Sequence, residues 1–237
     1  VSEKERSFLG VAEIRVLVQA EKDKGLPVFL NADHTYSIEA SEEAVDNHFD
    51  SVIIDGAEKP FNENMMMTKE VVRYAREKAP GMLVEGELGF IGTGSMMRDE
   101  IPDGVSLETQ TTLEDAKKFV EETGVDLFAP SVGNVHGLVR SGEPKLNIKR
   151  IKEINKVVGV PLVLHGASGN TDEEVSASID AGIRIVHINT ELRLAYKKGI
   201  EKGLSSDEIA PYKFMAEGVV EMKKIVTAKL KVFNKIK

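Results

Sequence analysis

Short apolar runs rich in β-branched residues recur along the chain: VFLNADH (28–34), SVIIDG (51–56), MLVEGELG (82–89), DLFAPSVG (126–133), PLVLHGAS (161–168) and IRIVHINT (183–190). Continuous apolar runs of this length are the pattern of parallel strands covered on both faces. Between them lie segments of helical periodicity, among them GVAEIRVLVQAEKDKG, SEEAVDNHF, NENMMMTKEVVRYAREKA, TLEDAKKFVEETG and TDEEVSASIDAG. Thr112, Asn62 and Thr171 stand where helix N-caps are expected, and glycines close several of the segments. Strand and helix alternate throughout, which predicts an α/β fold with a parallel sheet.

Nearly every predicted strand ends in polar residues, including Asp33, His34, Asp55, Glu87, His136, His165 and Asn189. Chemistry at the carboxyl ends of successive strands is the arrangement of a (β/α)8 TIM barrel. An open doubly wound sheet concentrates its site at one switch point instead. Six strands are legible where a barrel has eight. The expectation is therefore a single barrel domain over 1–237 that lacks its first one or two βα units, with a C-terminal helical extension from about 206.

Composition narrows the chemistry. The 237 residues are 41% hydrophobic and 30% charged, which suits one domain with a substantial core. The absence of cysteine leaves imidazole and carboxylate as the available metal ligands. A formal net charge of −8 argues against nucleic acid and anionic membrane as partners. No apolar run approaches the ~20 residues that span a bilayer, and the first stretch lacks a signal-like apolar region, so the expected location is the cytoplasm.

Of the five histidines, His34, His136, His165 and His187 lie at or near strand ends, while His48 sits in a helical segment and reads as a helix-end residue. One histidine at a strand end is more often structural, but three imidazoles at one barrel mouth form the ligand set of a catalytic zinc site. His34, His136 and His165 are the candidates. Asp33 sets a carboxylate beside His34, suited to proton exchange with a substrate oxygen. Glu85 and Glu87 share one face of their strand by the period of two, and buried carboxylates there demand a cation or donors. Glu87 suits a metal; Glu85 suits a structural ion pair equally well.

HGASG (165–169) and INT (188–190) place small and polar residues ahead of helix starts, where backbone N–H groups bind phosphate. Arg140 adds a basic group after NVHGLVR. The stretch FIGTGSMMRDEIPDG (90–104), with Arg98, Asp99 and Glu100, has the length of a lid or binding loop. The MMM at 65–67 reads as a core-facing helix start.

In order along the chain, NADHTYS, SVIIDGAEKPFNENMMMTKEVVRYA, VEGELG, AKKFVEETGVDLFAPSVGNVHG, PLVLHGASG and INTEL closely resemble the class II fructose-bisphosphate/tagatose-bisphosphate aldolase family. The resemblance spans roughly residues 1 to 200. It implies a TIM barrel in which His34, His136 and His165 hold a divalent metal, usually Zn2+, with Glu87 as an alternative ligand. It implies Asp33 as the proton donor and acceptor at the oxygen beside the reacting carbon–carbon bond. Gly137, Gly166, Ser168, Asn189 and Thr190 match positions that grip the ketose phosphate, and Arg140 matches a basic position nearby. Ser2 falls where the family has a substrate-contacting serine after its second strand. Two positions depart from the family: His187 stands where an asparagine is usual, and the loop after VEGELG lacks the usual glycine pair, leaving Asp99 or Glu100 to supply the base.

The implied activity is metal-dependent, reversible aldol cleavage of fructose 1,6-bisphosphate to dihydroxyacetone phosphate and glyceraldehyde 3-phosphate, by a lyase of carbohydrate metabolism. Alternatives are a tagatose-bisphosphate aldolase, another metal-dependent TIM-barrel sugar-phosphate enzyme, or a catalytically incomplete barrel serving binding or assembly. A lysine Schiff base is disfavoured, since no predicted strand contains lysine. By analogy with the family, a homodimer or homotetramer is expected.

Overall fold

The structure, a computed structural model, describes residues 1–141 and 145–236. Its strands are β1 (Asn31–Thr35), β2 (Ser51–Ile54), β3 (Leu83–Leu88), β4 (Met97–Arg98), β5 (Leu127–Pro130), β6 (Leu138–Val139), β7 (Leu162–Leu164) and β8 (Ile183–Val186). Its helices are α1 (Glu3–Leu9), α2 (Val11–Lys22), α3 (Ile38–Asp46), α4 (Phe61–Lys78), α5 (Leu113–Thr123), α6 (Ile148–Val158), α7 (Asp172–Ala181), α8 (Thr190–Leu204), α9 (Pro211–Phe214) and α10 (Ala216–Phe233). The main sheet runs β1-β2-β3-β5-β7-β8, so strands neighbour one another in chain order with helices between them. Its recorded pairs, β1 with β2, β2 with β3, β3 with β5 and β5 with β7, are parallel. This is the (β/α)8 barrel class, with six of its strands among the described residues.

Backbone proximity divides the chain into two units. The first comprises 1–90, 111–131 and 153–162. It is built on the apolar runs of β2, β3 and β5, where Val52, Ile53, Ile54, Val84 and Phe128 are fully buried. Phe119 of α5 is also fully buried, with ring centroids 5.8 Å from Phe128 and 6.3 Å from Phe61. Burying one such ring contributes about 1.5–3 kcal/mol. Phe119 reaches the sheet because β3 carries Gly86 beneath it: a Cβ there would stand 2.6 Å from the Phe119 ring. Since strand residues alternate, Glu85 and Glu87 point to the opposite face, and both are buried.

The second unit comprises 91–110, 132–152 and 163–237. It holds β4, β6, β8, most of β7, and helices α7 to α10. Its core includes Val132, Val135, Val163, Leu164, Val175 and Ile183.

Local signals explain most element boundaries. Thr112 caps α5 by accepting from the Asp115 N–H at 3.0 Å, and α5 ends on Gly124 at φ 71°. Thr171 and Glu174 form a capping box on α7. Asn62 does not cap α4. That helix starts at Phe61 behind Pro60, whose φ of −54° suits a helix entry. The strand expected over 28–34 begins only at Asn31, because the Asp50 carboxylate takes the Leu30 N–H at 2.6 Å and holds Lys22 at 2.6 Å. Of the three methionines at 65–67, Met65 is buried and Met66 is exposed, so only part of that run faces the core. Helix α1, absent from the sequence reading, is explained by the Ser2 and Glu5 capping box at its start. The lid-length loop contains β4, which pairs in parallel with β6 as a separate two-stranded ribbon; their two-residue length left no periodicity to read. Among the described residues no helix is long and apolar enough to cross a membrane.

Candidate active site

In the first unit the chemistry gathers at the carboxyl end of β1. Ala32 pairs with Val52 and Thr35 with Ile54, so β1 carries one extra residue over this interval. Such a bulge re-aims side chains, and it falls on Asp33 and His34. His34 sits at φ 42°, a left-handed conformation that costs energy outside glycine and persists where surrounding contacts impose it. One imposing contact is Asp55 at the end of β2, whose Oδ2 lies 2.8 Å from His34 Nδ1. The Glu87 carboxylate lies 3.5 Å from the same nitrogen, and Asp33 Oδ1 lies 4.0 Å from Nε2. His34, Asp55 and Glu87 each offer a ligand atom within 4.8 Å of the others.

The electrostatics follow from this crowding. Burial opposes charging of His34. The hydrogen bond to Asp55 and the charges of Glu87, Asp33 and Asp55 together outweigh it, raising the imidazole pKa to about 10. Burial pushes Glu87 well above the usual carboxylate range, and repulsion from Asp55 adds to it while His34 opposes it. Glu87 Oε2 has no hydrogen-bond partner among the described residues. A buried oxygen left this way is costly, and a cation removes the cost. The imidazole and carboxylate donors present therefore fit a divalent metal.

The backbone bearing Asp33 is braced by two features of the first residues. Ser2 forms an isolated parallel bridge with Asp33, and its Oγ donates to Glu5 at 2.8 Å. The buried Arg6 guanidinium donates to the carbonyls of Val1 (2.9 Å) and Asp33 (3.3 Å) and to Thr35 Oγ1 (2.9 Å). Asn64 of α4 donates to the Glu87 carbonyl at 2.8 Å, fixing the end of β3. The His34 and Tyr36 rings stack at 6.4 Å, and Tyr36 is raised in pKa first by burial and then by Asp55, Glu87 and Asp33. Asp55 was legible as a strand-end carboxylate; Arg6, Tyr36 and Asn64 carried no sequence signal. His48 is an exposed residue at φ 55° just past α3, as its helix-end position implied.

In the second unit three histidines cluster. His165, at the end of β7, is 1% exposed, and its ring lies 6.0 Å from that of His136 and 4.3 Å from that of His187. His136 Nδ1 lies 2.8 Å from the Gly92 carbonyl, so it carries the proton there. Asn134 holds the His165 carbonyl at 2.9 Å. The backbones around these histidines approach closely. A Cβ on Gly137 would stand 2.2 Å from the Met96 carbonyl, and one on Gly166, at φ 61°, 2.5 Å from that of Val135. Ser168 is buried, and its Oγ has no hydrogen-bond partner among the described residues. Asn189 precedes α8 and reaches Ser95 Oγ at 3.2 Å, while Thr190 opens the helix and is buried.

The remaining candidates lie on the surface of the same unit. Arg140 forms an ion pair of 3.1 Å with Asp99, whose side chain is 86% exposed, and Glu100 is exposed. Arg98 donates to the carbonyls of Thr93 and His136. No strand contains lysine among the described residues, so a strand-borne Schiff base is not available.

Residues 1–237 match the family model described as "Fructose-bisphosphate aldolase class-II". A fructose-bisphosphate aldolase of Staphylococcus aureus is 38% identical over 211 residues, covering 88% of this chain and 71% of that protein. A 6-phospho-5-dehydro-2-deoxy-D-gluconate aldolase of Shouchella clausii is 40% identical over 212 residues, covering 88% and 69%. Among solved structures, a putative fructose-1,6-bisphosphate aldolase of Coccidioides immitis superposes with a TM-score of 0.84 at 28% identity, covering 98% of this chain and 80% of that one. The YdjI aldolase of Escherichia coli superposes with a TM-score of 0.79 at 30% identity, covering 94% and 76%.

Proposed function

This chain belongs to the class II fructose-bisphosphate aldolase family, an aldehyde-lyase family that uses a divalent metal, and from that premise we propose how its own residues divide the work. The reaction is the reversible cleavage of fructose 1,6-bisphosphate. His34, His136 and His165 are the metal ligands and Glu87 an alternative one, with zinc as the metal and cobalt, manganese or iron as substitutes. The observation that carries this reading is the state of the Nδ1 atoms. His34 Nδ1 is engaged by Asp55 and His136 Nδ1 by the Gly92 carbonyl, which orients Nε2 of each ring as the ligand atom. When bound, the cation supplies electrophilic stabilisation of the negative charge that develops on the substrate as the carbon–carbon bond breaks.

The chain does the rest. Asp33, on the bulge of β1, takes the proton from the hydroxyl at the breaking bond. That oxygen becomes the aldehyde carbonyl, and the electron pair of the bond passes to the neighbouring carbon. Asp99 or Glu100, on the segment around β4, returns a proton to that carbon; in the synthetic direction both transfers reverse. Gly137, Gly166, Ser168, Asn189 and Thr190 grip the phosphate, supported by the start of α8 and by the buried Ser168 hydroxyl, which has no hydrogen-bond partner among the described residues. Arg140 exchanges Asp99 for a substrate phosphate, and Ser2, bridged to Asp33, contacts the sugar. His187, at the family's asparagine position, contacts substrate beside His165. Residues 1–237 act as one catalytic domain, supported by the family match over the whole length. By family analogy the enzyme is a homodimer or homotetramer of cytoplasmic glycolysis and gluconeogenesis.

The test is a coupled cleavage assay on fructose 1,6-bisphosphate with protein as purified, stripped with EDTA, and stripped with zinc returned. Activity falls to background on stripping and returns with zinc. Activity that survives stripping would refute the metal-dependent reading. A second substrate class is favoured by the 40% identity to the deoxygluconate-phosphate aldolase and by His187, so tagatose bisphosphate and 6-phospho-5-dehydro-2-deoxygluconate belong in the same panel.

A further inference from the structure

We propose that Lys229, on α10, is a positioning residue for substrate phosphate, acting through the first turns of α7 and α8; the inference rests on the phosphate reading above. The segments read for phosphate, HGASG and INT, lead into these helices: α7 begins at Asp172 behind its cap Thr171, and α8 begins at Thr190, the last residue of INT. Both also open with acids: Asp172, Glu173 and Glu174 on α7, and Glu191 on α8. Acids in a first turn stabilise a helix, but the same charges repel a phosphate drawn to those N–H groups. Glu174 is committed to backbone hydrogen bonds, accepting from the N–H groups of Thr171 (3.2 Å) and Leu146 (3.4 Å). Asp172 and Glu191 are instead met by one cation. Lys229 Nζ lies 3.3 Å from Asp172 Oδ1 and 3.2 Å from Glu191 Oε2, and its side chain is 15% exposed.

A single ammonium thus ties the starts of two helices together and offsets a negative charge on each. The arrangement is held by close packing of α10 on α8. A Cβ on Gly199 of α8 would stand 2.4 Å from the Glu217 carbonyl of α10, so the two backbones are in direct contact. The aliphatic stem of Lys229 is covered, which limits the positions its head can sample. Losing the charge frees both helix starts and uncovers two carboxylates. The cost falls on phosphate binding, since the two carboxylates that Lys229 meets stand at the helix starts and are neither proposed metal ligands nor proposed proton carriers.

The test uses metal-loaded full-length protein and the variants K229M, K229R and S168A. Inorganic phosphate is the probe, its dissociation constant read by calorimetry, with KM and kcat for fructose 1,6-bisphosphate alongside. K229M should weaken phosphate and raise KM by about fivefold, leaving kcat within about twofold. K229R keeps the charge and should stay within about twofold of the parent on all three. Unchanged phosphate binding in K229M while S168A weakens it would overturn the positioning role alone. Unchanged binding in both would overturn the phosphate reading, and the inference with it. A fall in kcat with KM unmoved, or no rescue by arginine, would show that Lys229 serves only general stability, which also overturns the proposal.

Discussion

Replacing Asp55 by alanine probes the link between the β2 carboxylate and the metal more directly than any other change. Its Oδ2 lies 2.8 Å from His34 Nδ1, and the two side chains are 10% and 12% exposed, so solvent screens the contact little. A charge-assisted hydrogen bond in such surroundings is worth about 1.5–3 kcal/mol. Removing it releases a ring already held in a strained backbone conformation at φ 42°. Second-sphere losses of this kind weaken metal binding about 10- to 100-fold. Asparagine keeps an oxygen that accepts from Nδ1–H but drops the charge, so D55N should lose less than about tenfold. The assay is competition for zinc against a chromophoric chelator at fixed pH, with circular dichroism confirming that each variant is folded. Zinc affinity in folded D55A within twofold of the parent, or D55N as weak as D55A, would refute the argument that Asp55 orients His34.

Two further predictions follow from the same geometry. In metal-free protein, His34 has a folded pKa of about 10 against an ordinary 6.5, so its stabilising contribution is complete below pH 6.5 and is lost as pH rises towards about 10. Glu87, also raised, changes stability in the same direction above its ordinary range. The unfolding free energy of stripped protein, measured by urea titration, should therefore fall through that window by a few kcal/mol, at ~1.4 kcal/mol per pKa unit, while that of zinc-loaded protein changes far less. Gly166→Ala forces a Cβ to 2.5 Å from the Val135 carbonyl at φ 61°, and should cost about 2–4 kcal/mol in chemical denaturation together with most of the activity.

What the amino-acid sequence determined by itself is what short-range chemistry can encode. The Val/Ile-rich runs became the strands of the main sheet, Thr112 and Thr171 capped their helices, and the order of strand-end motifs announced a barrel and its family. Each of those signals needs only a few neighbouring residues, because periodicity, capping and β-branching act over one or two turns of chain. Tertiary structure alone decided the rest. Asp55 meets His34 across 21 positions, Arg6 braces Asp33 across 27, and Asn134 holds the His165 carbonyl across 31. The extra residue in β1 exists only relative to its partner strand, and β4 and β6 are too short to form except by pairing with each other. Lys229 lies in the C-terminal helical extension with no local signal of a role, and only the docking of α10 carries it between Asp172 and Glu191. Local propensity sets where the chain is extended or helical, whereas the charge and hydrogen-bond environment of a side chain is set by groups that only folding brings within a few ångströms.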